Sequence, residues 1–224
     1  KCEAMRNFAN KVWNASRFVM MNLGDMTEYA LPAAQKLEQE DKWALSKLNE
    51  LIQEVTENLE SYEIGVASSK VYDFLWDTYC DWYIELTKGR MQSEGAQRAQ
   101  NVLCYVLIAL LKLLHPFMPF ITEEIYQALP HVSGEESDFL MCTAWPVYDE
   151  AMSFPAEEEA MEMVMDAIRA IRARRAEMNV SPSRKVQLTI AAARQDVFTA
   201  GAPFFQRLAS ASEVHVVPAA PAGS

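Results

Sequence analysis

Apolar residues recur along this chain at intervals of three and four, the spacing of one helix face, and six stretches carry that period. In the first, residues 2–23, Met5, Phe8, Ala9, Val12, Ser16, Val19 and Leu23 form one stripe. Residues 41–60 gather Ala44, Leu48, Leu51, Ile52, Val55 and Leu59. Residues 64–88 gather Ile64, Ala67, Val71, Phe74, Leu75, Thr78 and Trp82, with Gly89 following as a C-cap. The fourth stretch, 94–114, is apolar on most sides in its second half, which predicts a central helix; His115-Pro116 stops it. A fifth, 119–129, opens after "HPFMP" with Glu123 and Glu124 near its positive end. The sixth, 155–177, has Glu157, Glu158 and Glu159 in its first turn and arginines at its end, as the helix dipole favours.

Beyond it the period falls to two. Val186, Leu188 and Ile190 alternate with Gln187 and Thr189, which predicts a strand, and "EVHVV" predicts another. Between them, residues 195–209 return to helical spacing, interrupted by Gly201 and Pro203. The irregular run from "HVSGEESDFL" through "TAWPVYDEAMSFP" marks a boundary. The pattern therefore predicts a mainly α protein: an antiparallel α-helical bundle over 1–150, a small helix–strand–helix–strand α+β unit over 151–217, and a flexible Pro/Ala tail over 218–224.

Composition narrows this further. Of the 224 residues half are hydrophobic, including 5 Trp, 10 Phe and 8 Tyr, enough for a sizeable core. The longest apolar run, 102–114, is broken by Lys112 and falls short of the roughly 18 residues of a membrane span, so no membrane partner is expected. "KCEAMRNFAN" is too polar for a signal peptide, and a start without Met is expected of a piece of a longer chain. Cys2, Cys80, Cys104 and Cys142 show no CxxC pairing and no His at ligand spacing; they read as reduced, mostly buried thiols in a cytoplasmic protein, with no zinc site. The net charge of −11 argues against generic nucleic-acid binding. Its distribution qualifies that: residues 1–22 and 161–224 are each net +3, whereas 23–90 and 91–160 are −8 and −9. A polyanion is expected at the ends, unless these are ordinary solvated helix surfaces.

The chain contains no GxGxxG, GxxxxGK[ST], GxSxG or HExxH pattern, and its three histidines lie far apart. No catalytic residue and no cofactor or metal ligand is expected within it. The first helix carries a sharper signal. At about 100° per residue, Asn7, Asn10, Lys11, Asn14, Arg17, Phe18 and Met21 fall opposite the apolar stripe. Asn and Arg can bond base edges and phosphates, and an outward Phe offers a stacking surface to an unpaired base. Alternatively, Phe18 packs beneath the following loop or the "YCDWYIE" segment, whose own aromatics are expected in the bundle core. The end of the sixth helix supplies a second basic cluster: Arg169, Arg172 and Arg175 at i, i+3, i+6, with Arg174, Arg184 and Lys185 nearby. It suits either an RNA backbone or a solvated helix end.

"RNFANKVWNASRFVMMN", "YDFLWDTYCDWYIELTK", "LLKLLHPFMPFITEEIYQAL" and "AWP", in this order, resemble the C-terminal anticodon-binding region of bacterial-type valyl-tRNA synthetases, a class I aminoacyl-tRNA synthetase family, over about residues 1–190. The resemblance implies a partner, the anticodon loop of valine tRNA, whose second and third anticodon bases the family reads. It implies contacts from Lys11, Asn14, Arg17 and Phe18, extended by Asn10 and Asn7; the cluster at Arg169, Arg172 and Arg175 is outside the family motif. Such enzymes join valine to tRNA with ATP and Mg²⁺ and carry a separate editing domain. This stretch has neither a HIGH-type nor a KMSKS-type motif. It is thus expected to be inactive by itself and to work beside the catalytic and editing domains of a parent chain. Two other readings stay open: the same module from an isoleucyl or leucyl enzyme, and a helical protein-interaction scaffold whose basic ends bind acidic partners.

Overall fold

The computed structural model describes every residue except 1, 92, 94, 132–136 and 220–224, and only the backbone of Cys2 and Ala4. Most of the tail expected at 218–224, and the middle of the acidic loop after His131, thus lie outside the described residues. The chain divides into two compact units, Lys1–Phe154 and Pro155–Ser224, the first helical and the second a small α+β unit.

Helix α1 (Cys2–Asn22) buries Phe8, Val12, Ala15, Ser16 and Val19, and Leu23 follows them into the core. Ser16 meets the cost of burial by donating its hydroxyl to Val12 O at 2.8 Å. Met5, expected on the same stripe, is instead 53% exposed. Helix α2 (Gln39–Glu60) begins at a capping box, in which the Glu38 N–H donates to the Asp41 carboxylate and the Glu38 side chain accepts from Asp41 N–H. Helix α5 (Ala96–Leu114) is the central element, with twelve of its side chains buried. Its 19 residues reach a mean hydropathy of 1.2 and are long and apolar enough to cross a membrane by length and composition, contrary to the expectation from the broken apolar run. Two-thirds of that window lies inside the helical unit, which accounts for the apolar character. Helix α6 (Pro119–Gln127) starts on Pro119, where a missing N–H is harmless.

The third helix departs from the expected geometry. Helix α3 (Ile64–Asp73) passes without a break into a π-helical stretch (Phe74–Tyr83) and ends in one α turn, α4 (Ile84–Thr87). Bonding to the fifth residue widens each turn, so that residues four apart align: Leu75, Tyr79, Tyr83 and Thr87 are all buried. Ile64 and Thr78, expected in the core, are exposed and half-buried respectively. The Tyr79 hydroxyl donates to Leu103 O at 3.0 Å and that of Tyr83 to Asp41 at 2.8 Å. Arg90, in the loop before α5, donates twice to Asp41 and once to Glu40, fixing the loop against the start of α2. Cys104 is buried, Cys80 half-buried and Cys142 exposed, so the last departs from expectation. Burial pushes the Cys80 and Cys104 thiols up to about 12, leaving both protonated at neutral pH.

In the second unit, α7 (Pro155–Glu177) is closed by Asn179 at φ 52°, and the Val180 N–H reaches back to Arg175 O at 2.9 Å. Strands β1 (Val186–Ala191) and β2 (Ala211–Val217) pair in parallel, with Leu188 opposite Val214 and Ile190 opposite Val216. The connection holds two short helices, α8 (Gln195–Ala200) and α9 (Ala202–Leu208), rather than one. They divide at Gly201, where a Cβ would sit 2.8 Å from a Val164 methyl on α7, so only glycine allows this approach.

Candidate nucleic-acid interface

Helix α1 sorts its polar residues into two rows. Asn7, Asn10, Asn14, Arg17 and Met21 face outward and are exposed, Met21 at 77%. Asn7, Asn10, Asn14 and Arg17 have no side-chain hydrogen bond or ion pair among the described residues, so their donors and acceptors face water. Lys11 and Phe18 lie one edge nearer the core, where the third helix packs. Lys11 donates to Asp81 at 2.8 Å, and its ammonium sits 3.7 Å from the centroid of the Trp76 ring. Phe18 is half-buried, with the Lys88 ammonium 5.4 Å from its ring centroid. The expectation of an outward Phe18 is therefore corrected: at seven residues from Lys11, about two turns, it shares the flank that meets the third helix. The outward aromatic of α1 is Trp13, 39% exposed, which the sequence reading did not assign. Its place on the same helical wheel, away from Val12 and Val19, was the available signal.

The flank of Lys11 and Phe18 forms one wall of a groove, and the π-helical stretch forms the other. Three rings run along it: Phe8 packs on Tyr72 at 4.3 Å, tilted by 31°, and Tyr72 stacks on Trp76 at 5.7 Å, 12° from parallel. Lys11 lies over the Trp76 ring. Lys88, which covers Phe18, is itself ion-paired to Glu85. Each Lys thus bridges an aromatic ring and a carboxylate. Near the start of α1 and α3 the groove opens into a cleft of about 490 Å³ that Met5, Phe8, Tyr72 and Met118 help to line.

The arginines of α7 are held otherwise. Arg169 pairs with Asp166 at 2.6 Å. The Arg172 Nε donates to Leu208 O at 2.7 Å, tying α7 to α9. Arg175 donates to Ser181 O at 3.0 Å and Arg184 O at 2.5 Å, fastening the loop between α7 and β1. The i, i+3, i+6 row exists, but two of its three members carry the local fold. The histidines are likewise engaged: His115 bonds the Thr122 hydroxyl at 2.7 Å, and His131 stacks on Tyr126 at 4.3 Å. Among the described residues no group of three His, Cys, Asp or Glu side chains is placed to hold a metal ion.

Residues 41–190 match the family model described as the anticodon-binding domain of tRNA ligase. Helix α1 precedes that span, whereas the π-helical wall of the groove lies within it. The chain is 48% identical to a valine–tRNA ligase of Clostridium acetobutylicum and 49% identical to that of Clostridium perfringens, in each case over 96% of its own length and 24% of the relative's. A valine–tRNA ligase of Carboxydothermus hydrogenoformans is 43% identical over 88% of the chain. The chain spans about a quarter of the length of the curated relatives it matches.

Proposed function

The chain belongs to the family of tRNA-ligase anticodon-binding domains, and from that premise we propose that it reads the anticodon loop of valine tRNA as one module of a longer valine–tRNA ligase. The observation that carries this reading is the outward row of α1, Asn7, Asn10, Asn14 and Arg17, without a partner among the described residues and set beside an aromatic groove. Amide groups offer a donor and an acceptor each to base edges, which suits unpaired bases. Arg17 supplies a charged fork for a phosphate or a base edge. Phe18 gives a stacking face where Lys88 now rests, and the acidic body of residues 23–160 discourages RNA elsewhere.

In this reading the module supplies selectivity and not bond-making chemistry. Joining valine to tRNA with ATP and Mg²⁺, and editing, belong to other domains of the longer cytoplasmic chain. The RNA contact is assigned to α1; Arg172 and Arg175 hold the second unit together, and Arg169 adds at most one backbone contact. The test uses a fluorescent hairpin carrying the valine anticodon loop, titrated with the 224-residue chain. Changing the second and third anticodon bases should weaken binding at least tenfold, and so should Arg17→Ala. Equal affinity for the altered hairpins would overturn the proposal.

A further inference from the structure

The aromatic run Phe8–Tyr72–Trp76 ends on a half-buried indole with a lysine head over its ring. Tyr72 stacks on Trp76 and so orients it, and the Lys11 ammonium sits 3.7 Å from the ring centroid, about the distance of a stacked base. Lys11 is kept there by Asp81, 2.8 Å away. The arrangement recurs farther along the groove with Lys88 over Phe18, paired to Glu85. The rings come from opposite walls, Trp76 from the π-helical stretch and Phe18 from α1. Each lid is a charge that a phosphate would attract.

We infer that Trp76 is a second base-stacking platform, closed in the free protein by Lys11 and latched by Asp81; this rests on the reading of the groove as an RNA site. On binding, the Lys11 ammonium leaves the indole for a phosphate, and an unpaired base takes its place as the next ring of the run. The ammonium trades one anion for another, the ring trades a cation–π contact for a stacked base, and the Asp81 carboxylate, 54% exposed, returns to water. Asp81 thus opposes binding by competing for Lys11. The widened turns explain the geometry, since they place Trp76 and Asp81 together beneath α1 while Tyr79 and Tyr83 fill the core.

The experiment titrates the same hairpin with variants of the chain whose melting temperatures are measured alongside. Trp76→Leu, which keeps apolar bulk beside Tyr72, should weaken binding about tenfold, and Trp76→Phe about threefold or less. The RNA-dependent quenching of tryptophan emission should shrink in Trp76→Phe. Asp81→Asn should tighten binding about threefold, a gain that vanishes when Lys11→Met is also present. Unchanged affinity in a folded Trp76→Leu chain would overturn the inference; if that variant does not fold, the quenching in Trp76→Phe decides. An Asp81→Asn gain that persists without Lys11 would reduce Asp81 to a general repulsive charge and end the latch. Arg17→Ala separates the two levels: a loss there with Trp76 inert defeats this inference alone, whereas indifference at both defeats the RNA reading.

Discussion

The outward face of α1 and the last turns of α7 look alike in sequence, each part of a terminal region with a net charge of +3, and they use their cations differently. Arg17 on α1 has no hydrogen bond or ion pair among the described residues. On α7, Arg172 and Arg175 donate to the carbonyls of Leu208, Ser181 and Arg184. These guanidiniums keep their charge but spend donors on the fold, the Arg175 Nη2 and the Arg172 Nε, and moving them to a phosphate would release backbone acceptors that the fold needs. Net charge therefore locates possible RNA contacts, and hydrogen-bond bookkeeping decides among them.

The contrast is broken most forcefully at Arg175. Arg175→Ala removes two charged hydrogen bonds from the loop before β1 and should cost the second unit about 2–3 kcal/mol. For a unit of this size, that lowers the melting temperature by more than 8 °C. Differential scanning calorimetry reads the shift, while hairpin affinity measured below the transition should stay within twofold. A tenfold loss of affinity with an unshifted transition would move Arg175 to the interface and erase the distinction.

Arg17→Ala should do the reverse, with stability held within about 0.5 kcal/mol, as is usual for an exposed substitution. The slope of log affinity against log salt should fall by about 0.7 for the lost contact to single-stranded RNA. Phe18→Ala occupies the middle. Because the ring is half-buried, its loss should cost about 1 kcal/mol of stability as well as hairpin affinity. A melting curve together with a titration distinguishes this double effect from the single effect at Arg17.

Residues on the centre of a stripe were legible, and residues at its edge were not. Val12 and Val19 point inward whatever packs on them, because periodicity alone fixes a stripe. Phe18 and Lys11 sit at the margin, where the neighbouring helix decides, and no local pattern tells which neighbour that is. The third helix shows a second limit. Spacing of 3.6 put Thr78 in the core, where it is only half-buried; Tyr79, Trp82 and Tyr83 are buried as expected, but through a π-helical stretch that the spacing did not announce. That choice depends on long-range bonds from Tyr79 to Leu103 and from Tyr83 to Asp41, so it is tertiary in origin. The division at Gly201 was half legible: glycine and proline announced an interruption, while its cause, the methyl of Val164, lies far away in sequence. In the proposed interface, the outward asparagines and Arg17 followed from the wheel, whereas the proposal of Trp76 needed its stack with Tyr72.

Arg169 gives the smallest and finest test. It is exposed and paired with Asp166 three residues earlier, a contact worth about 0.5 kcal/mol or less. Removing it as Arg169→Ala should therefore leave the melting temperature within a degree or two. If the α7 row plays no part in holding RNA, the salt slope of hairpin binding should be unchanged as well. A fall in slope matching that of Arg17→Ala would show a phosphate bound at α7. The comparison would then need a finer form: Arg172 and Arg175 hold the fold while their exposed neighbour, on the same helix face, holds the nucleic acid. The two variants differ by one side chain each, so the slope measured under identical salt conditions separates these cases.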